Sequence, residues 1–213
     1  MKVHLHIFFI SCFFLINVYG NNIDQDIIEI ASIRFKVLQY GESNRRYIWI
    51  HGDEKTALLL LKRLKEKNIG TVFLIDNDKR EVVINSNMID PNRIFSRVGA
   101  EKNLKKMNSN TSQSTIDKTL DMLDRDREMF FDRIKPPNSG LLLALHNNLH
   151  GYSIHDEIAI SNEVSLKNSG HPYHHNFYIC TNRDDFNVLS KSPYNVVLQE
   201  TPLAEDNGSL SYL

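Results

Sequence analysis

His51 and Glu54 stand in the tetrad His51-Gly52-Asp53-Glu54, directly after the apolar run Tyr47-Ile48-Trp49-Ile50. A second histidine, His146, directly follows another apolar run, Gly140-Leu141-Leu142-Leu143-Ala144-Leu145. Two neutral imidazoles and one carboxylate with an open fourth position make a typical catalytic zinc site. Such a metal lowers the pKa of bound water to about 7 and polarises a carbonyl. Short apolar runs bounded by turn residues are the pattern of strands buried on both faces. In an open α/β sheet the binding crevice lies beyond the carboxyl ends of the strands, so parallel neighbouring strands would deliver both imidazoles to one place. Glu54 reaches the same point once the chain turns into a helix. The competing reading of the tetrad is a polar helix start with Glu54 near the positive end of the helix dipole. His146 at the end of a second strand weighs toward metal.

The elements needed to position these groups are legible in outline. Ile30 to Gln39 alternates as a first strand, Gly41 to Asn44 reads as a turn, and Tyr47–Ile50 is the next strand. Asp53 can cap a helix to about Lys67, with Ala57, Leu58, Leu61 and Leu64 at helical spacing and Asn68 and Gly70 ending it. Thr71–Ile75 and Glu81–Ile84 read as strands, and strand, helix, strand in that order predicts a parallel unit. Asn108–Gln113 reads as a polar loop. Ser114 to about Ile134 has helical spacing stopped before Pro136-Pro137. His150 to His175 is polar and aperiodic, as in a long functional loop. Two later strands, His175–Thr181 and Tyr194–Gln199, flank a short helix over Asp184–Ser190. The expected fold is α/β, a mostly parallel or mixed central sheet flanked by helices.

Between the two strand-terminal histidines lies Asp90-Pro91-Asn92-Arg93-Ile94-Phe95. The order His-Gly-Asp-Glu, then Asp-Pro-Asn-Arg-Ile-Phe, then Leu-His-Asn-Asn resembles the zinc carboxypeptidase superfamily, in its aspartoacylase and succinylglutamate desuccinylase branch, over Tyr47 to Tyr152. The resemblance implies that His51, Glu54 and His146 bind Zn2+ and that Asn92 and Arg93 hold a substrate carboxylate. A guanidinium fork beside an amide suits that task through several directed hydrogen bonds. Without the other motifs, the same residues would read as a turn carrying a surface arginine. The resemblance also implies an arginine that stabilises the oxyanion, with Arg80 the nearest candidate and Arg97 just after the Asn-Arg pair. Asn147, beside His146, would orient a ligand or touch substrate. The general base would be a glutamate that takes the proton of the zinc-bound water. Candidates are Glu200 after a late strand, Glu205 behind it, or a residue beyond Leu213, in which case the domain is C-terminally incomplete. Tyr152 and Tyr173 are candidates to cover the substrate.

The rest of the chain bounds this reading. Its 213 residues, 41% hydrophobic and 24% charged, suit one sizeable core. Lys plus Arg (25) nearly cancel Asp plus Glu (26), which leaves no broad basic field and points away from nucleic acid. Met1-Lys2 followed by a short apolar run to Val18 reads as a signal peptide over residues 1–20, ahead of a single domain over 21–213. A secreted or periplasmic protein is expected, with no stable membrane span after cleavage. Removing that segment takes Cys12 and leaves Cys180 without a disulfide partner, in an apolar run where a buried thiol is expected. His150, His155, His171, His174 and His175 match no standard ligand spacing and read as loop residues. The resemblance therefore implies an exported zinc-dependent amide hydrolase acting on a small carboxylate-bearing peptide or N-acyl amino acid, cell-wall peptides included. The alternative is a non-catalytic zinc- or peptide-binding relative without the general base.

Overall fold

The computed structural model describes residues 26–64, 67, 70–138, 140–147, 151–167, 173–200 and 206–212. The segment expected to be a signal peptide (residues 1–20), Glu205, His150 and His171 lie outside them. The chain opens with a hairpin, β1 (Asp26–Ile30) and β2 (Ile33–Tyr40), joined at Ala31-Ser32, where both residues have positive φ (48° and 74°). One continuous strand over Ile30–Gln39 is thus corrected to a reversal at Ala31. Next come β3 (Arg46–Trp49), α1 (Lys55–Leu64) and β4 (Gly70–Ile75), with β4 parallel to β3. β5 (Val82–Ile84) and β6 (Asn87–Ile89) form a second hairpin. Helices α2 (Arg97–Met107) and α3 (Gln113–Ile134) follow, and then β7 (Leu142–Ala144).

The main sheet has the order β1-β2-β4-β3-β7. β1, β2 and β4 pair antiparallel in turn, while β3 is parallel to both β4 and β7. The fold is therefore α/β with a mixed central sheet flanked by helices. Its faces follow from strand alternation. Phe35, Phe73, Ile48 and Ile75 share one face by register, and Phe35 meets Phe130 of α3 at 5.2 Å between ring centres. Leu38, Tyr40, Val72 and Leu74 share the other face, and with Leu58 and Leu61 of α1 they line one pocket. Burying both faces of β3 and β4 explains their unbroken apolar runs.

The expected loop His150–His175 instead holds α4 (Ile154–Ile158) and β8 (Glu163–Ser165), with a 3-10 turn at Tyr173–His175. β9 (Phe177–Cys180), α5 (Arg183–Leu189) and β10 (Asn195–Leu198) complete the fold. β10 lies between β8, antiparallel, and β9, parallel. A smaller apolar core of Cys180, Phe186, Val196 and Leu198 sits here, apart from the larger core under the main sheet. Cys180 is free and buried, and burial, with some help from Asp185, pushes its thiol up to about 11. No helix among the described residues is long and apolar enough to cross a membrane.

Candidate metal centre

β3 and β7 are hydrogen-bonded parallel neighbours, and each ends just before one of the two histidines. The imidazole rings of His51 and His146 lie 5.2 Å apart between centres. Glu54 stands between them: His51 Nδ1 is 2.9 Å from Glu54 Oε1, and His146 Nδ1 is 3.2 Å from Glu54 Oε2. One donor atom from each residue falls within 4.8 Å of the others, so this group could hold a metal ion. His51 and Glu54 are buried, while His146 is exposed at one side. Of the three, His146 is therefore the residue that solvent reaches.

The backbone around the tetrad is tightly fixed. Gly52 N–H donates to Lys79 O at 3.0 Å, and a Cβ on Gly52 would lie 2.1 Å from the Asn77 carbonyl oxygen. Only glycine lets the two loops approach this closely. Trp49 Nε1–H donates to Glu54 O at 2.9 Å, which holds the helix start against the strand it follows. Ala57 N–H in the first turn of α1 donates to Asn147 Oδ1 at 2.8 Å. Asn147, expected at a ligand or substrate, thus joins the end of β7 to the start of α1. That bond fixes the spacing between His146 and Glu54.

Asp90 supplies a part that the sequence reading left without a role. His51 Nε2–H donates to Asp90 Oδ1 at 2.8 Å, and the same oxygen accepts Asn92 N–H at 2.8 Å. Asp90 N–H in turn donates to Asn103 Oδ1 on α2 at 2.9 Å. A carboxylate on Nε2 selects the tautomer that leaves Nδ1 facing Glu54, the usual arrangement behind a metal-binding histidine. Burial is the largest influence on Asp90 and resists its charge, but the hydrogen bond and charge of His51, with the Asn92 N–H and the Arg93 charge, together outweigh it and hold the carboxyl below its ordinary range.

Glu54 shows the same balance more strongly. Burial opposes its charge, yet hydrogen bonds with His146 and His51 hold its carboxyl at about 2. His51 is pushed down by burial but raised further by Asp90 and Glu54, so its pKa lies above the ordinary 6.5. Two imidazoles and a carboxylate at these separations are held together either by protons or by a cation. Glu54 Oε2 favours the cation: it is buried and takes no well-aligned hydrogen bond, although His146 Nδ1 is 3.2 Å away. The donor set of two nitrogens and one oxygen suits zinc-class ions rather than calcium or magnesium.

Arg80 donates from Nη1 to Glu54 Oε1 at 3.1 Å, so this sequence candidate lies beside the centre. Arg97 instead pairs with Asp121 and Asp124 on α3. Asn92 and Arg93 form a 3-10 turn that Asp90 caps. Asn92 Oδ1 accepts Leu210 N–H at 3.2 Å. Among the described residues no acceptor takes a hydrogen bond from the Arg93 guanidinium. Its charge is felt by Asp90 and by the Tyr152 phenol. Tyr152 O–H donates to Glu157, a buried carboxylate that also accepts Gln199 Nε2–H at 2.5 Å. Glu200 points elsewhere: its Oε2 accepts Arg183 Nη2–H at 2.8 Å in an exposed pair, and no hydrogen bond or ion pair among the described residues joins it to the centre. The Tyr152, Glu157 and Gln199 chain carries no sequence signal, because its members come from three separate elements. Comparison of the chain with protein-family models, curated proteins and solved structures finds no match.

Proposed function

We propose that the chain is a zinc-dependent amide hydrolase of the carboxypeptidase or N-acyl amino acid deacylase type. Its substrate would be a small peptide or acyl amino acid bearing a carboxylate. The observation that carries this reading is the convergence of His51, Glu54 and His146, with Asp90 behind His51 and an orphaned oxygen on Glu54. Zinc held by these residues would supply an activated water and polarise the scissile carbonyl. Arg93 and the amide of Asn92 would receive the substrate carboxylate, which places the amide carbonyl toward the metal ligands. Arg80, anchored by one nitrogen on Glu54, keeps its other N–H groups for the developing oxyanion. An exported chain would meet cell-wall peptides among such substrates.

A second reading, a zinc-dependent binder without turnover, is favoured by the pairing of Glu200 with Arg183 and by the burial of Gln199 rather than a carboxylate at the end of β10. Glu200 would have to leave Arg183 to serve as general base. Zinc quantification combined with hydrolysis of a panel of peptides and N-acyl amino acids tests both. About one zinc per chain, lost in His51→Ala and His146→Ala, together with turnover supports the hydrolase. Zinc and ligand binding without turnover supports the binder. Zinc content unchanged by either substitution defeats both readings.

A further inference from the structure

The segment Asp206–Leu210, "DNGSL", lies across the turn that carries Asn92 and Arg93. Leu210 N–H donates to Asn92 Oδ1 at 3.2 Å, Phe95 N–H donates to Gly208 O at 3.1 Å, and Ser96 Oγ–H donates to Asp206 Oδ1 at 2.6 Å. Two glycines make the contact close. A Cβ on Gly208, whose φ is +72°, would lie 2.4 Å from Arg93 O, and a Cβ on Gly99 would lie 2.1 Å from Gly208 N. The segment also holds its own shape: Asp206 Oδ1 accepts Gly208 N–H at 2.8 Å and Asn207 Oδ1 accepts Ser209 N–H at 2.9 Å. Three anchors and a glycine-to-glycine contact therefore lock one short segment against the Asn92 turn.

The lock decides which end of a planar amide faces outward. With Asn92 Oδ1 committed to Leu210, the NH2 arm points away from the segment, and among the described residues no acceptor takes its protons. Arg93, the next residue, also presents only donors. A reversed amide would turn a carbonyl oxygen toward an arriving carboxylate and repel it. We propose that Asp206–Leu210 is a positioning segment that holds the Asn92 amide in the donor-outward orientation. Asn92 Nδ2 and Arg93 then form a donor-only face that selects carboxylate ligands over neutral ones. This inference rests on the carboxylate-binding role given above to Asn92 and Arg93.

The test uses the full, zinc-loaded chain and calorimetric binding of N-acetyl amino acids against their primary amides, with zinc content and melting temperature measured alongside. The parent is expected to prefer the carboxylates. Leu210→Pro removes the donating N–H at the first residue of a 3-10 turn, where proline is tolerated. It should lower the preference about tenfold, as for loss of one hydrogen bond to the anion, with zinc content unchanged. Leu210→Ala restores the N–H and should restore the preference, an outcome that a purely packing role for Leu210 would not give. Gly208→Ala, which pushes the segment off Arg93 O, should repeat the proline result if the proline chain does not fold. A parent that prefers carboxylates and variants that keep the preference would overturn the positioning role alone. A parent without any preference would overturn the carboxylate reading and the inference with it.

Discussion

Asp90 is the residue on which the candidate metal centre turns, because it fixes which nitrogen of His51 faces Glu54. Asp90→Asn keeps the side-chain shape but offers either an oxygen or an NH2 to Nε2, so the tautomer is no longer selected. Zinc affinity is expected to fall about 10- to 100-fold, with the main-chain fold unchanged, as read by competition with a chelating dye. The protons at the centre make a second prediction for the metal-free chain. The pKa of His51 is raised above 6.5 in the folded chain, so its stabilisation is complete below pH 6.5 and is lost as pH rises through the raised value. That of Glu54 is lowered from 4.5 to about 2, so its contribution is present above pH 4.5 and is lost as pH falls toward 2. Melting temperature without metal should therefore be highest between these limits and decline from pH 6.5 upward. Added zinc should reverse the upper trend, since metal and proton compete for His51 Nδ1. A metal-free chain that gains stability steadily above pH 6.5 would contradict this account.

At the level of elements, the tetrad is only as good as the loops that press on it. Gly52→Ala would drive a methyl group into the Asn77 carbonyl and disturb the bond to Lys79 O. A loss of roughly 1–3 kcal/mol in stability is expected from denaturant unfolding. The contact of Arg80 with Glu54 should loosen too, because Arg80 follows the displaced residues. The sequence revealed the β3, α1, β4 unit because two unbroken apolar runs flank a stretch of helical spacing, with Gly70 marking the break where β4 begins. It revealed His51, Glu54 and His146 because each stands where such an element begins or ends. The hairpin at Ala31-Ser32 was hidden: two residues with positive φ carry neither glycine nor asparagine to mark the turn. Helix α2 was hidden because only Gly99, Ala100 and Leu104 are buried along it, too few to set a period. Within His150–His175, α4 and β8 span 5 and 3 residues, below the length at which a pattern emerges. The role of Asp90 depends on a contact 39 residues away, which no local spacing encodes.

For the whole molecule, the near balance of 25 basic and 26 acidic residues leaves no long-range field of one sign, so any selectivity would have to come from local groups. The two apolar cores divide the work unequally. The larger core underlies the sheet whose strand ends lead to the candidate metal ligands, whereas among the described residues the cluster beside β9 and β10 holds four buried side chains, Cys180, Phe186, Val196 and Leu198. Regions with fewer buried apolar contacts open at lower free energy. Amide hydrogens of β8, β9 and β10 should therefore exchange with deuterium faster than those of β2, β3 and β4, and zinc should slow the second group more than the first. Uniform protection across both sheets would refute that ordering. Gln199, which with Tyr152 brackets Glu157, is tied to the smaller core by its N–H, which donates to Cys180 O at 2.8 Å. Transient breathing of that part would loosen Tyr152 while His51, Glu54 and His146 stay assembled, so a metal ion held by these three would stay in place as the neighbouring layer opens.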